Sequence, residues 1–563
     1  MMSPDPSSSS SSAANTPIDD EKHSEREHSD ATFAPIKPEG RDDRASLQPV
    51  QSHRSYAASD GYTHWDEEGA APGTSRSRSR GDAIDPEKEF EVTWETLPDS
   101  EASRKVQNPR TMSLARRWLI VIIVSTSSLC VAATSSLYTS TYEQIEKKFH
   151  SSREVATLGL SLFVAGLGVG PMILSPLSEF YGRRAVYMGS YTFFLIWVIP
   201  SAVAPNMATI LVARFLDGFS GSAFLSVAGG TVGDCFARHE LSAPMMIYTA
   251  SPFIGPELGP LVGGFINQYS SFRWTFYVML IWIGVQLCLI TLFVPETYHP
   301  ALLRRKARKL RQETGNDAWI APIERMDKSI AKTVLWSCIR PFQLLIFEPM
   351  CLNLCILSAI LLGILYLFFG AFPLVFENNH GFTLSQVGLA FMGLFVGMIL
   401  GISSDPFWRR NYARLVRQRE EQGGEPGGSE PEFRLPPTIF GAIVVPIALF
   451  GFAWTTYSSV HWIVPIIFSS FFGIGVIWTY SGIFTFLVDC YPLYAASALA
   501  ANSFARSSFA AAFPLFGVQM YNNLGYQWAS SVLAFLALAM APFPYFFYRY
   551  GKKLRGNSRF ASE

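Results

Sequence analysis

Three ionisable side chains sit inside long apolar runs, and they mark where this chain could do chemistry. Arg214 and Asp217 stand three apart in the run Ile210 to Val232, and Glu257 lies in the run Ala243 to Ile266. A charge in the core of a bilayer costs several kcal/mol unless it faces a cavity or a partner. Residues three apart share a helix face, so Asp217 either titrates or pairs with Arg214, and a purely structural ion pair is the plainer of the two readings. Glu257 lies about 200° around its helix from Gly255, and at about 1.5 Å per residue the three groups fall within several Å of one depth, in the outer half of the membrane. If the nearby glycines pack on a neighbouring helix, Glu257 points into a central cavity, where it could take up a proton on one side and release it on the other. That is proton binding, not bond making. No nucleophile elbow, phosphate loop or metal-ligand constellation appears, so no catalytic residue, no metal and no cofactor is expected, and the proton gradient stands in for ATP.

A second set of charges recurs. The chain reads SPLSEFYGRRAVY over 175–187 and GISSDPFWRRNY over 401–412, each with an acid, three residues and then two arginines: Glu179 with Arg183 and Arg184, and Asp405 with Arg409 and Arg410. Carboxylates and guanidiniums at helix ends can form a latch that holds one gate state and releases in the other, with Gly182 supplying a tight turn. The plainer alternative is that these arginines only mark one side of a membrane. A third pattern, GPELGPLVGGFI over 255–266, spaces Gly255, Gly259 and Gly263 by four into a smooth stripe for close helix packing, followed by Gly264. Pro256 and Pro260 remove backbone hydrogen bonds from the same helix.

Such groups need membrane-length helices to position them. Hydrophobic residues make up 49% of the 563 and charged residues 16%, too apolar for a chain of soluble domains. From Trp118 onward, runs about long enough to span a bilayer recur twelve times. They are Trp118 to Leu137, Leu158 to Leu177, Val186 to Ala204, Ile210 to Val232, Ala243 to Ile266 and Phe276 to Val294. The second set is Leu352 to Phe372, Val387 to Ile402, Ile439 to Trp454, Ile463 to Val488, Leu499 to Met520 and Val532 to Tyr548. The expected organisation is a disordered tail over 1–111, a six-helix bundle over 112–294, a basic central loop over 295–349, a second bundle over 350–550 and a short tail over 551–563. The first segment, rich in Ser, Pro and charge, buries too little apolar area to offset its chain entropy. The seven cysteines lack metal-ligand spacing and read as small buried residues.

Lys and Arg concentrate in the central loop, after the eighth run and at the C-terminus, so both termini are expected in the cytosol. The zero formal net charge gives no sign of nucleic acid as a partner. The expected partners are the lipid bilayer, a small-molecule substrate and protons, with the chain working as a monomer.

The first repeat resembles the signature loop of the major facilitator superfamily, with Leu177, Gly182, Arg183 and Arg184 in place, Glu179 as the acid and Ser175 for the first glycine. The 255–266 pattern matches the motif associated with that superfamily's antiporters. Arg214 resembles the family's fourth-span arginine, thought to take part in proton transfer, although Asp217 replaces the usual glutamine. The segments GGTVGDCF, FRWTFYV, PETYHPALLRRKARKLR, YLFFGAFPLVF and VDCYPLYAASALAANSFARSSFAAAFPLF extend the likeness to the fungal twelve-span drug:proton antiporters, which include multidrug, polyamine and secondary-metabolite exporters.

The resemblance implies an all-α integral membrane protein of the major facilitator fold, built as two six-helix bundles. It adds Asp234, Asp489, Asn502 and Arg506 as gate or cavity residues, and it implies proton-coupled efflux of a hydrophobic or amphipathic compound at the plasma membrane. A polyamine exporter is the nearest alternative, kept alive by Glu257 and Asp217. A transporter-like receptor signalling through its tail is the alternative of another class.

Overall fold

The computed structural model describes residues 90–97, 100–237, 240–325, 329–423, 429–556, 558, 560 and 561; most of the expected N-terminal tail lies outside them. Ten of its helices are long and apolar enough to cross a membrane. Spans one to four are Leu114–Leu137, Arg153–Tyr181, Arg183–Val203 and Met207–Cys235, and span six is Phe272–Phe293. Spans seven to ten are Pro349–His380, Leu384–Glu421, Pro436–Trp454 and Ile463–Cys490, and span twelve is Tyr526–Arg555. The fifth and eleventh are Ser242–Tyr269 and Ala495–Leu524, 28 and 30 residues long. These two are the least apolar because Gly, Ser, Ala, Pro and Asn fill them, and they hold the same place in each half. Helices that pack against others all round need small residues more than greasy ones.

Burial follows the same logic. The most apolar stretch of span seven is 83% buried within the protein and that of span six only 28%, so span seven is central and span six faces lipid. The exposed residues of the outer spans are themselves large and apolar, among them Phe193, Ile281, Leu292 and Ile447, the reverse of a soluble surface. All seven cysteines are free; five are buried, Cys338 is half-buried and Cys288 is exposed.

Three segments differ from the sequence expectation. Residues 90–111, assigned above to the tail, are ordered in their described part. Val92 and Ala102 bury against Ala307, Leu310 and Ala321, and Val92 N–H donates to Ile320 O at 3.0 Å. The central loop holds two helices, His299–Thr314 and Ile330–Phe347. Finally, the stretch after span eight is not a loop: the helix continues to Glu421, with only local breaks.

Odd-numbered spans begin, and even-numbered spans end, at the arginine-rich end of the bundle, called the basic end below.

Candidate functional site

The stripe of small residues on span five fixes the geometry of everything near Glu257. A Cβ at Gly255 would stand 2.8 Å from Leu129 O, and one at Gly259 would stand 2.7 Å from Leu137 N, so span five lies directly on the backbone of span one. The helix passes unbroken through Pro252, Pro256 and Pro260. The carbonyl that Pro252 leaves without its helical donor, Tyr248 O, receives the Ser251 hydroxyl at 2.8 Å. With the glycines on span one, Glu257 points elsewhere. It is fully covered by protein, and neither carboxylate oxygen has a hydrogen-bond partner. Tyr366 of span seven lies within its electrostatic reach, which turns the carboxylate towards the second bundle and away from lipid.

Arg214 and Asp217 gather at the same level. Arg214 is fully buried, donates one guanidinium nitrogen to Thr134 O at 3.2 Å and Ser135 O at 3.3 Å, and lies over the rings of Phe163 and Tyr138 at 4.2 and 4.7 Å. Asp217 feels the Arg214 charge, yet its two oxygens accept no hydrogen bond. The expected ion pair is therefore an electrostatic neighbourhood without direct contact. Ser135 bonds across the bundles to the Tyr366 hydroxyl at 3.0 Å. Arg214 and Tyr366 thus converge on one turn of span one.

Asn502 and Arg506 lie apart from this turn. Asn502 accepts from the Ser358 hydroxyl at 3.3 Å and donates to Cys355 Sγ at 3.7 Å, tying span eleven to span seven. Arg506 faces three rings: Phe253 at 5.7 Å, Tyr480 at 5.4 Å and Phe484 at 5.1 Å.

At the basic end the chain turns at Gly182, whose φ of 93° suits glycine, and span three begins. Glu296 caps that start, accepting from Arg183 N at 2.8 Å and Arg184 N at 3.2 Å. The acid paired with the Arg183 side chain at 3.3 Å is Asp234 at the end of span four, and Glu179 stands in the same field. Arg183 also bonds Ser178 and lies over Tyr298, while Arg184 reaches Thr291 O. Glu296 was missed as a site residue, although it lies in the PETYHP segment already singled out.

The second half corrects the expected repeat. Asp405 does pair with Arg409, but as i and i+4 neighbours on one exposed helix, and Arg410 is exposed. The counterpart of Arg183 is Arg434, just before span nine, which pairs with Asp489 at the end of span ten at 2.8 Å. In each half, then, an arginine ahead of the third helix meets an aspartate closing the fourth.

Residues 124–514 match the sequence profile of the Major Facilitator Superfamily. The chain belongs to that superfamily. Within it, this major facilitator is 58% identical over 455 residues to a protein described as efflux pump atB of Aspergillus terreus, covering 81% of this chain and 88% of that one. It is 41% identical over 454 residues to a probable drug/proton antiporter, YHK8, of Saccharomyces cerevisiae, covering 80% and 87%. Among solved structures, the inward-open xylose transporter XylE of E. coli superposes with a TM-score of 0.55 at 16% identity, over 77% of this chain and 96% of that one. The fold is thus the major facilitator fold of two six-helix bundles, and the relatives named are transporters that place this chain among the fungal efflux pumps.

Proposed function

We propose that this efflux transporter is driven by protons. It exports a small hydrophobic or amphipathic organic compound across the plasma membrane by alternating access, with both termini in the cytosol. The observation that carries the reading is Glu257: a carboxylate with no exposed surface and no hydrogen-bond partner, on the helix bearing the antiporter motif. An ionised carboxylate is not kept in such a place at equilibrium without a partner, whereas a protonated one can be. Opening of the far end would let Glu257 exchange its proton there, and rocking of the bundles would carry the group to the other side. Two arginines in the same interior, the buried Arg214 and the half-buried Arg506, weigh against a polyamine as cargo.

In inside-out vesicles, uptake of a naphthalene probe should follow an interior-acid pH step and collapse with a protonophore. ATP-supported uptake without a gradient would overturn the reading. Glu257→Gln mimics the protonated form at nearly constant volume. It should abolish accumulation against a gradient while leaving gradient-free exchange intact; if the variant accumulates as well as the parent, the proton site is elsewhere and Asp217 is the next carboxylate to test.

A further inference from the structure

Arg506 is the unexplained charge at the centre of the molecule. Eleven residues into span eleven, it stands about 16 Å along the helix from the basic end, well inside the span. Phe253 stands eleven residues into span five, the matching helix of the other half, and the two meet across the interface. Phe253 stacks on Tyr480 with ring centroids 4.8 Å apart, and Tyr480 lies nearly parallel to Phe484 at 5.7 Å. The guanidinium faces all three rings, yet among the described residues it has no hydrogen-bond partner, and its Nε is buried without an acceptor. The groups that act on it most strongly are phenols and a thiol, Tyr480, Tyr366, Cys355 and Tyr248.

Ring faces cancel part of a cation's cost, but they offer no oxygen to a planar fork of five N–H donors. Tyr480 turns its hydroxyl to Ser358 O, donating at 2.9 Å, and accepts nothing from Arg506. A structural arginine in this setting would be expected to hold carbonyls, as Arg214 does with Thr134 and Ser135. Arg506 holds none, and it is half-buried between the two bundles.

We propose that Arg506 with Phe253, Tyr480 and Phe484 is the cargo site, and that the cargo is a flat aromatic anion, a ring carrying a carboxylate or sulfonate. The anionic oxygens take the unused donors of Arg506 in a fork, and the ring lies among the three aromatic faces. This assignment rests on the export reading above but concerns a different residue set from its proton site.

The test uses the full chain in detergent and three probes that share one ring: 1-naphthalenesulfonate, the neutral 1-naphthalenesulfonamide and the cationic 1-naphthyltrimethylammonium. The sulfonate stays ionised across the working pH range, so a pH gradient cannot trap it as it would a weak acid. Equilibrium dialysis should find the sulfonate bound roughly ten- to a hundredfold tighter than the sulfonamide, the range expected of a charge-assisted fork, with the ammonium weakest. Arg506→Gln should erase the preference, weakening sulfonate binding far more than sulfonamide binding, Arg506→Lys should keep part of it, and Phe253→Leu should weaken sulfonate and sulfonamide alike. Equal binding of the three probes by the parent, or tightest binding of the ammonium, would overturn the proposal whatever the variants do. The two readings fail separately. Protonophore-sensitive transport of the ammonium but not the sulfonate sinks the cargo class and spares proton coupling. Selective sulfonate binding without proton-driven flux does the reverse.

Discussion

A buried ionisable side chain reveals its role through what it lacks. Arg214 has carbonyls and ring faces around it, whereas Glu257 and Asp217 accept nothing. The sequence placed all three at one level because helix rise and periodicity are arithmetic. Their partners came from other spans, so Tyr366 and Ser135 could not be assigned roles by spacing. His299 shows the same limit outside the membrane. Its ring bonds Asp234 O at 2.9 Å and meets Trp94 edge-on at 5.5 Å, which joins the segment before span one to the pair beside Arg183. Burial, aided by the charges of Arg110 and Arg183 and opposed by the Asp234 carbonyl, lowers its pKa to about 4 from the usual 6.5. The undocked imidazole therefore binds more protons than the docked one between those two values, so docking is intact above pH 6.5 and weakens as pH falls towards 4. Hydrogen exchange over residues 90–106, corrected for intrinsic rates, should lose protection across that window, and His299→Phe should flatten the change. Protection that holds steady down to pH 4 in the parent would contradict this.

At the scale of helices, two similar sequence motifs have different structural fates. The Gly182 turn separates spans two and three and frees Arg183 to meet Asp234 in another helix. In the second half no glycine interrupts Asp405–Glu421, so Asp405 and Arg409 stay on one helix face, and the matching arginine, Arg434, comes only at the end of the turn Pro431–Arg434. Local spacing made the first visible and disguised the second. The pairs also differ in burial: the side chains of Arg183 and Asp234 are 12% and 10% exposed, those of Arg409 and Asp405 47% and 30%. An exposed pair of this kind contributes about 0.3–0.5 kcal/mol, whereas removing one partner of a buried pair costs considerably more because it leaves an uncompensated charge. Asp234→Asn should therefore cut turnover at least tenfold while substrate affinity stays within about twofold, and Asp405→Asn should leave both within about twofold. Equal effects of the two substitutions on the maximal rate of vesicle transport would show that the buried pair is no gate.

For the whole molecule, hydropathy sufficed to count spans and pair them into halves, because bilayer thickness sets helix length. It could not say which helices from opposite halves touch, since small-residue packing leaves little mark on an apolar run. Some of those contacts close the end away from the arginines. Glu154 of span two accepts from the Gln519 side-chain amide of span eleven at 2.7 Å, Ser385 N of span eight donates to Gln268 of span five at 2.8 Å, and Ser135 meets Tyr366 deeper in. In alternating access such a seal must part once per cycle, because cargo leaves through it. Fixing it shut should trap the carrier with its cargo site reachable from the basic end alone. The exposed pair Glu154 and Gln519 offers the handle. In the double variant Glu154→Cys with Gln519→Cys, made with Cys288 replaced by Ser, a short thiol-to-thiol crosslinker should stop net transport and exchange together. Binding of the naphthalene probes from the basic end should persist, and cleavage of the crosslink should restore flux. Crosslinked carrier that still turns over at the uncrosslinked rate would mean that this end does not open, and that the two bundles do not rock about the site held between them.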